Sequence, residues 1–237
     1  MEGPKQQGGV IGGPSLIAAA HELKAPLALI RQLSLGLESG DYTLSDIERM
    51  ARQITLTSER ALRLTTDLTK SARLEDSLFT IEPVNPVSLC EEVIREIQPL
   101  YQARGRSIRM VPRTRPLLAL ANKDLLRRVL LGFADNALHY CDDESAVLVE
   151  AYERRGSVRL SVRDFGPAVP AAVWRTLQDS LGKRPQLLHN RPASSGLGMY
   201  IAGQFAESMQ SNIGATRHHN GTSFYIDLTP STQLRLL

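Results

Sequence analysis

Two stretches constrain the fold of this chain most: VRDFGP at residues 162–167 and SSGLGM at residues 194–199. In the first, a predicted strand ends in Asp164, whose carboxylate can accept a hydrogen bond from an exocyclic amine. Gly166 then lets the backbone approach a flat ring closely. In the second, two glycines begin a predicted helix, where backbone N–H groups and the positive end of the helix dipole bind phosphate. Each stretch taken alone is equally compatible with an ordinary turn or helix cap.

A third motif lies upstream of both. It reads DNALHY at residues 135–140, within an apolar period that predicts a helix from Lys123 to Tyr140. Asn136 is polar in this apolar run. A side-chain oxygen in a cleft suits Mg²⁺, which prefers hard oxygen ligands and keeps several of its waters. The other interpretation is a hydrogen bond between helices, because a buried asparagine needs partners.

The rest of the C-terminal part alternates helical and strand-like segments. Helices are predicted at residues 87–104, 123–140 and 197–209, and strands at 107–111, 117–120, 147–153, 158–164, 214–217 and 223–228. Arg155-Gly156 and Asn220-Gly221 lie between strand pairs, as hairpin turns do. This pattern predicts an α+β sandwich with helices on one face of a mixed sheet. The segment between Gly166 and Gly196 has the length and composition of a mobile lid.

Two long amphipathic helices are predicted before residue 76. Their apolar stripes consist of Leu16, Ala20, Leu23, Leu27, Ile30, Leu33 and Leu37, and of Ile47, Met50, Ile54, Ala61, Leu64 and Leu68. Turn residues at 38–43 join them into an antiparallel hairpin. A lone hairpin leaves half its stripe exposed, which predicts a homodimer with a four-helix bundle, or else packing of the hairpin on its own chain. Pro83 and Pro86 mark a boundary near residues 76–86.

The first helix carries the sequence HELKAPL at residues 21–27. His21 and Glu22 fall off the centre of the apolar stripe, toward solvent. Near neutral pH one nitrogen of a histidine ring is a free nucleophile, and a neighbouring carboxylate can accept a proton as the ring attacks phosphorus. A surface histidine beside a glutamate is also commonplace, so this pair alone is weak evidence for chemistry.

In this order the motifs form a pattern: a histidine on a helical hairpin, a helix asparagine, a strand-end aspartate, a glycine-rich helix start, and the turn NGTSF at residues 220–224. The pattern resembles that of the histidine kinase family over roughly Ser15 to Leu228. The resemblance implies a multidomain protein, with an all-α phosphoacceptor hairpin of the HisKA type and an α+β ATPase domain with the Bergerat fold. The implied division is a flexible segment at 1–14, the dimerisation and phosphoacceptor hairpin at 15–76, a linker at 77–86, the ATP-binding domain at 87–232 and a tail at 233–237.

The resemblance also implies roles for individual residues. His21 is the phosphoacceptor and Glu22 its general base, in an autophosphorylation by ATP followed by transfer to an aspartate of a response regulator. Asn136 holds the Mg²⁺ that bridges the phosphates, and Asp164 binds the adenine amine. The implied nucleotide-binding residues are Asn136, His139, Tyr140, Asp164, Gly166, Ser195, Gly196, Leu197, Gly198 and Thr222.

Several positions depart from the usual pattern of that family. Gly132 replaces an asparagine, His139 stands where lysine is frequent, and Ala168 and Ser194 replace glycines. A histidine at position 139 would carry a charge that depends on pH. Ala25 stands where relatives use a polar side chain to orient water for dephosphorylation of the regulator, so we expect weak or absent phosphatase activity.

The departures leave a second interpretation open: a degenerate kinase that serves as a dimeric ATP- or partner-binding module without catalysis. A third interpretation is an ATPase of the chaperone, topoisomerase or mismatch-repair type. Those proteins share the nucleotide fold but lack a phosphoacceptor hairpin, so the helix that carries His21 argues against it. Binding of ATP without labelling of His21 would select the degenerate kinase.

Composition narrows the class of protein further. The chain of 237 residues is 42% hydrophobic and 22% charged, the balance of an ordinary globular protein. Its net charge of +3 is small and its arginines are scattered, which favours a solvated face over nucleic-acid binding. Cys90 and Cys141 lack metal-ligand spacing and are interpreted as reduced thiols. No apolar run approaches the ~20 residues of a membrane helix. We therefore expect a cytoplasmic location, or the cytoplasmic part of a larger or membrane-bound sensor.

Overall fold

A computed structural model describes residues 13–40, 42–72, 79–111, 116–141, 145–183 and 197–232. The helices are α1 (Gly13–Ser39), α2 (Leu44–Ala72), α3 (Pro86–Gln102), α4 (Lys123–Tyr140), α5 (Ala171–Ser180) and α6 (Leu197–Ser208). The strands are β1 (Glu82–Val84), β2 (Ile108–Met110), β3 (Ala119–Ala121), β4 (Val147–Arg154), β5 (Ser157–Arg163), β6 (Asn212–Arg217) and β7 (Thr222–Leu228).

Five strands form the main sheet, in the order β2-β4-β5-β7-β6, and β1 and β3 form a separate antiparallel pair. Strands β2 and β4 run parallel and the other neighbours in the main sheet run antiparallel. The β4–β5 hairpin turns at Arg155 and Gly156, whose φ angles of 48° and 81° are those of a two-residue turn that matches the twist of the strands. Strand β5 therefore lies between β4 and β7, and its end at Arg163 is held from both sides.

Helices α3, α4 and α6 cover one face of this sheet. Alternate residues of β7 are buried, which directs Phe224 and Ile226 toward the helices. On α4, Leu126, Leu130 and Phe133 are fully buried against them. The predicted α+β sandwich, with helices on one face of a mixed sheet, is confirmed for this part of the chain.

The start of each central helix is encoded locally. The Asn85 side chain accepts hydrogen bonds from the N–H groups of Val87 and Ser88, and Pro86 occupies the first helical position of α3. The Asn122 side chain accepts a hydrogen bond from Leu125 N–H at the start of α4, at 3.1 Å. These caps explain why the helical patterns read from the sequence begin within a residue of the observed helices.

The sequence pattern missed two elements and displaced a third. Strand β1 lies inside the predicted linker, and α5 lies inside the segment predicted to be a lid; residues 184–196 of that segment lie outside the described residues. Strand β3 is centred on Leu120 rather than ending there. Short elements such as these depend on tertiary partners more than on their own periodicity.

Helices α1 and α2 pack against each other, and α2 also packs against the sandwich. The described side chains of α1 include one buried residue, Ala19, and α2 has none. Leu56, Leu64 and Leu68 of α2 touch the apolar core, whereas Leu27 of α1 is 58% exposed. The alternative that the hairpin packs on its own chain is therefore seen on one face. The homodimer stays a prediction. Every helix in the described part of the chain is too short or too polar to cross a membrane.

Candidate functional site

Asp164 follows the last residue of β5 and is almost fully buried, with 3% of its surface exposed. Its Oδ1 accepts hydrogen bonds from the N–H groups of Gly166 and Thr222, both at 3.1 Å. Its own backbone N–H donates to the Thr222 carbonyl at 2.9 Å. These bonds hold the carboxylate in one orientation between the end of β5 and the start of β7.

Two glycines allow three chain segments to meet at this carboxylate. A Cβ on Gly166 would overlap the carbonyl oxygen of Tyr140, at the C-terminal end of α4. A Cβ on Gly221 would overlap the Asp164 carbonyl, and the φ of Gly221 is +107°, which side chains rarely adopt. Both positions therefore require glycine. The contact with Tyr140 joins the Asp164 corner to α4.

Asn136 lies on α4 and faces a cavity of about 350 Å³. Its Nδ2 is buried and finds no hydrogen-bond partner among the described residues, and the same holds for Oδ1 of the neighbouring Asp135. A buried polar atom without a partner costs ~1–3 kcal/mol. Asp135 and Asn136 both line the cavity, and unpartnered polar groups on two residues that line one cavity indicate a site for a polar ligand.

His139, one turn further along α4, is occupied by protein groups on both ring nitrogens. Nδ1 lies 2.7 Å from the Asp135 carbonyl oxygen, which can only accept, so Nδ1 carries the proton. Nε2 accepts a hydrogen bond from Nη1 of Arg60 on α2, at 2.9 Å. Burial, followed by the charge of Arg60, lowers the pKa of His139 to about 4. The ring is therefore neutral at pH 7, and any phosphate contact by it would require one of these bonds to be exchanged.

The same cavity is lined from the other side by α1. Glu22 and Ala25 face it, together with Gly132 of α4 and Gly198 of α6. His21 lies within α1, but its side chain is outside the described residues. The structure therefore brings the residue after His21 and the Asn136 region to one cavity, although 113 positions separate Glu22 from Asp135 in the sequence.

Some of the remaining predicted site residues are described by the structure and others are not. Leu197 is buried at the start of α6, and Thr222 is buried beside Asp164. Tyr140 is half-buried at the end of α4. Ser195 and Gly196 lie outside the described residues. In the described residues no group of three or more His, Cys, Asp and Glu side chains could hold a metal ion, so a cation here would have few protein ligands.

A set of charged contacts joins α2 to the sandwich, and the sequence motifs did not predict it. We call these contacts the charged ladder. Its pairs are Arg60 with Asp135 and His139, Arg63 with Glu96, Asp67 with Arg128, and Lys70 with Asp124. Three-, four- and three-residue steps put the α2 members on one helix face. That spacing is visible in the sequence, but their partners on α3 and α4 are not.

Comparison with known proteins shows which family the chain resembles. Residues 121–232 match the family model described as histidine kinase-, DNA gyrase B- and HSP90-like ATPase. The chain is 25% identical over 210 residues to the adaptive-response sensory kinase SasA of Prochlorococcus marinus, covering 87% of this chain and 54% of SasA. It is 30% identical over 221 residues to the sensor protein KdpD of Mycobacterium tuberculosis, covering 90% of this chain and 25% of KdpD. The chain thus spans about half the length of the first relative and a quarter of the second.

Solved structures agree on the fold. Full-length ShkA in complex with AMPPNP superposes with a TM-score of 0.63 at 21% identity, over 94% of this chain and 45% of ShkA. Histidine kinase ThkA, solved in complex with the response regulator protein TrrA, gives 0.62 at 17% identity, over 93% of this chain and 62% of that one. Residues 121–232 therefore match the ATPase family in sequence, and the chain matches solved histidine kinases in fold. The resemblance of the chain to sensor histidine kinases, stated from its motifs, is confirmed.

Proposed function

We propose that this chain is the kinase core of a two-component sensor, which phosphorylates His21 with ATP and passes the phosphoryl group to a response-regulator aspartate. The observation that carries the proposal is that Glu22, next to His21, lines one cavity with Asn136. A phosphoacceptor helix and a nucleotide site have to meet for direct transfer, because phosphoryl transfer depends mainly on positioning and charge neutralisation. In this proposal residues 15–76 are the phosphoacceptor part and residues 87–232 the ATP-binding part.

The adenine end of the nucleotide is assigned to the Asp164 corner. A carboxylate that two backbone N–H groups hold in place can accept a hydrogen bond from the adenine amine without reorganising. Gly166 leaves room for the flat base beside the backbone. Thr222 shares the Asp164 carboxylate through its N–H, and Tyr140 lies at the same corner through its contact with Gly166.

The phosphate end is assigned to Asn136 and to the start of α6. The orphaned Nδ2 of Asn136 and Oδ1 of Asp135 support this assignment, since a phosphate oxygen could accept from Nδ2 and a cation or its bound water could satisfy Oδ1. Asn136 would hold Mg²⁺ through its amide oxygen, and the ion would supply charge neutralisation at the phosphates. Ser195, Gly196, Leu197 and Gly198 are assigned to the phosphates at the helix N-terminus.

The transfer step follows from the chemistry of the two α1 residues. A ring nitrogen of His21 attacks the terminal phosphorus of ATP, and an N–P bond forms as the P–O bond to the departing ADP breaks. Glu22 accepts the proton that the other ring nitrogen gives up. Ala25 lines the same cavity and has no group that could orient water, so we expect little phosphatase activity.

Two partners belong to the proposal. A second copy of the chain would cover the apolar residues that the hairpin leaves exposed, among them Leu27 at 58%, Leu44 at 81% and Leu62 at 67%. A response regulator is proposed as the phosphoryl acceptor, supported by the ThkA complex with TrrA, which concerns that protein itself.

A second candidate is a degenerate kinase that binds without catalysis. The observation that favours it is the hydrogen bond of His139 to Arg60, because the residue where lysine is frequent is committed to a contact between helices. Gly132, Ala168 and Ser194 are further departures that would weaken nucleotide binding.

The test uses γ-labelled ATP with Mg²⁺ on the wild type, His21→Gln and Asn136→Ala. We expect acid-labile, alkali-stable label on the wild type, the behaviour of a phosphoramidate, and none on either variant. His219→Gln and Asn212→Ala are matched controls at exposed positions and should keep the label. A wild type that binds ATP yet takes no label would contradict the autokinase and favour the degenerate module.

A further inference from the structure

Arg60 is a hairpin residue that reaches into the Asn136 region of the ATPase domain. It lies on α2, and its Nη1 donates to Nε2 of His139 at 2.9 Å. Its Nε lies 4.0 Å from Oδ2 of Asp135, the residue before Asn136. The side chain is 24% exposed and lines the same cavity as Asn136 and Gly198. Arg60 thus contacts the residue before Asn136 and the residue one helical turn after it.

The charge of Arg60 is only weakly matched by a carboxylate, since Oδ2 of Asp135 lies 4.0 Å from its Nε. Among the described cations that line the cavity, Arg63 bonds to Glu96 at 3.3 Å and Arg128 bonds to Asp67. Arg60 instead bonds to a neutral imidazole, which orients the guanidinium without matching its charge. In the described structure that bond occupies one of the five donors of the guanidinium.

A second guanidinium adds to the positive potential at this point. Arg104 also lines the cavity, and burial followed by the charges of Arg60 and Arg106 lowers its pKa. Glu22 and Asp135 also line the cavity, so the positive charges there are partly compensated, and an anion that binds between Arg60 and Arg104 would be attracted by both. The chemistry that such a site recognises is a phosphate group, for which arginine offers a planar fork of donors.

At position 139, helix α4 does not provide that charge itself. Position 139 holds a histidine whose ring nitrogens are both engaged, so the helix that carries Asn136 presents no cation there. Helix α2 does, through the docked hairpin. We infer that Arg60 binds the terminal phosphates of the nucleotide beside Asn136, as a cation supplied by the phosphoacceptor hairpin and oriented by His139. This inference rests on the proposed function, because it concerns the same nucleotide.

Nucleotide affinity distinguishes a phosphate-binding role of Arg60 from a merely structural one. If Arg60 only held the hairpin against the sandwich, its loss would resemble the loss of Arg63, one turn along the same helix, whose bond goes to Glu96 on α3. If Arg60 contacts phosphate, its loss weakens nucleotide binding in addition, and it weakens ATP more than ADP because one phosphate is missing from ADP. Docking and ATP binding would then favour each other reciprocally.

The experiment measures the Kd of ATP and ADP with Mg²⁺ for the full chain and three variants. Arg60→Gln keeps an amide donor for His139 and removes the charge, Arg60→Lys keeps the charge, and Arg63→Gln is the matched control. We expect Arg60→Gln to weaken ATP binding by about 10- to 100-fold, the usual effect of losing a charged hydrogen bond. ADP binding should weaken by about threefold or less, and Arg63→Gln should stay within about threefold for both. Arg60→Lys should recover part of the loss, because it keeps the charge but not the fork of donors.

A double variant tests whether a positive charge at this place is sufficient, whichever residue carries it. Arg60→Gln combined with His139→Lys restores a cation from the α4 side and should recover ATP affinity. The inference is overturned if Arg60→Gln binds ATP like the wild type, or if Arg60→Gln and Arg63→Gln lose ATP and ADP affinity equally. A wild type that binds neither nucleotide overturns the proposed function and the inference together, so the two failures are distinguishable.

Discussion

The ATPase sandwich and the helical hairpin are held by different forces. In the sandwich, Leu130 and Phe133 of α4 are fully buried, and Phe133 stacks obliquely on Phe224 of β7 with 6.2 Å between ring centroids. In the hairpin, no residue of α2 is buried, and its contact with the sandwich combines three leucines with the charged ladder. Helix α4 takes part in both, with an apolar face toward the sheet and a charged face toward α2.

Because of this difference, the sandwich and the docked hairpin should respond differently to salt and pH. A buried apolar core depends little on salt and pH, and it unfolds cooperatively. Partly buried ion pairs depend on ionic strength and protonation, and their net stabilisation is small because each charge loses hydration. The burial that raises the pKa of Asp67, against the opposing charge of Arg128, is an example of that cost. We therefore expect a rigid nucleotide domain with a reversibly docked hairpin, and four experiments test this contrast.

The largest effect is expected in the sandwich core. Phe133→Ala should lower the free energy of unfolding by about 3–5 kcal/mol, because it leaves a cavity against Phe224. Leu62→Ala, at a position that is 67% exposed on α2, should change it by about 0.5 kcal/mol or less in the isolated chain. Urea unfolding followed by circular dichroism measures both. Similar losses for the two variants would contradict the contrast between the regions.

The next effect concerns the glycine contact at the Asp164 corner. Gly166→Ala should cost about 1–3 kcal/mol, because the added Cβ meets the Tyr140 carbonyl, which is backbone and has to shift. It should also weaken ATP binding. Gly132→Ala, in the middle of α4, is the matched control: its Cβ would lie 3.7 Å from the Gly198 carbonyl oxygen, an ordinary contact. Alanine there should stabilise the helix by about 0.5–1 kcal/mol. Equal destabilisation by both variants would argue against the close approach at Gly166.

Charge reversal in the ladder should act on docking rather than on folding of the sandwich. Asp67 and Arg128 have side-chain exposures of 20% and 13%, so Asp67→Lys places like charges together in a partly dry contact. We expect an increase in the radius of gyration by small-angle scattering. The double variant Asp67→Lys, Arg128→Asp should restore compactness, with a coupling energy of about 0.5–3 kcal/mol.

Salt provides the control for that experiment. Raising ionic strength from about 0.1 M to 1 M shortens the screening length from about 10 Å to 3 Å, so the wild type should expand and the single variant should change less. Compactness that stays the same in the single variant and in high salt would show that the leucines alone hold the hairpin.

The last effect is a pH dependence that arises from His139. Burial and the charge of Arg60 lower its pKa from 6.5 to about 4 in the folded chain. A base with a lowered pKa binds fewer protons when folded, so its contribution to stability is complete above pH ~6.5 and is lost as pH falls toward ~4. His139→Gln should remove this part of the pH dependence. Equal slopes of stability against pH between 6.5 and 4 in the wild type and the variant would contradict the neutral, buried ring.

The part of the fold that depends on local pattern was predictable. The helix from Lys123 to Tyr140 was read with the bounds it has, because its apolar period is long and Asn122 caps it. The turn at Arg155-Gly156 was predicted from its place between two strand patterns and from Gly156, which tolerates the positive φ it adopts. The contacts between side chains that are distant in the sequence were harder to predict. The charge of His139 was expected to depend on pH. Burial, followed by the charge of Arg60, 79 residues away in the sequence, lowers its pKa to about 4.

The sequence by itself determined the order of the motifs, the helices and hairpins that carry them, and the glycines at Gly166 and Gly221, since each depends on spacing or backbone conformation within a few residues. Only the tertiary structure decided that α2 lies along α4, that Arg60 stands beside Asn136, and that Glu22 shares their cavity. The physical reason is that a charged helix face has many energetically similar partners in sequence. The choice among them depends on which surfaces the apolar core brings within a few ångströms.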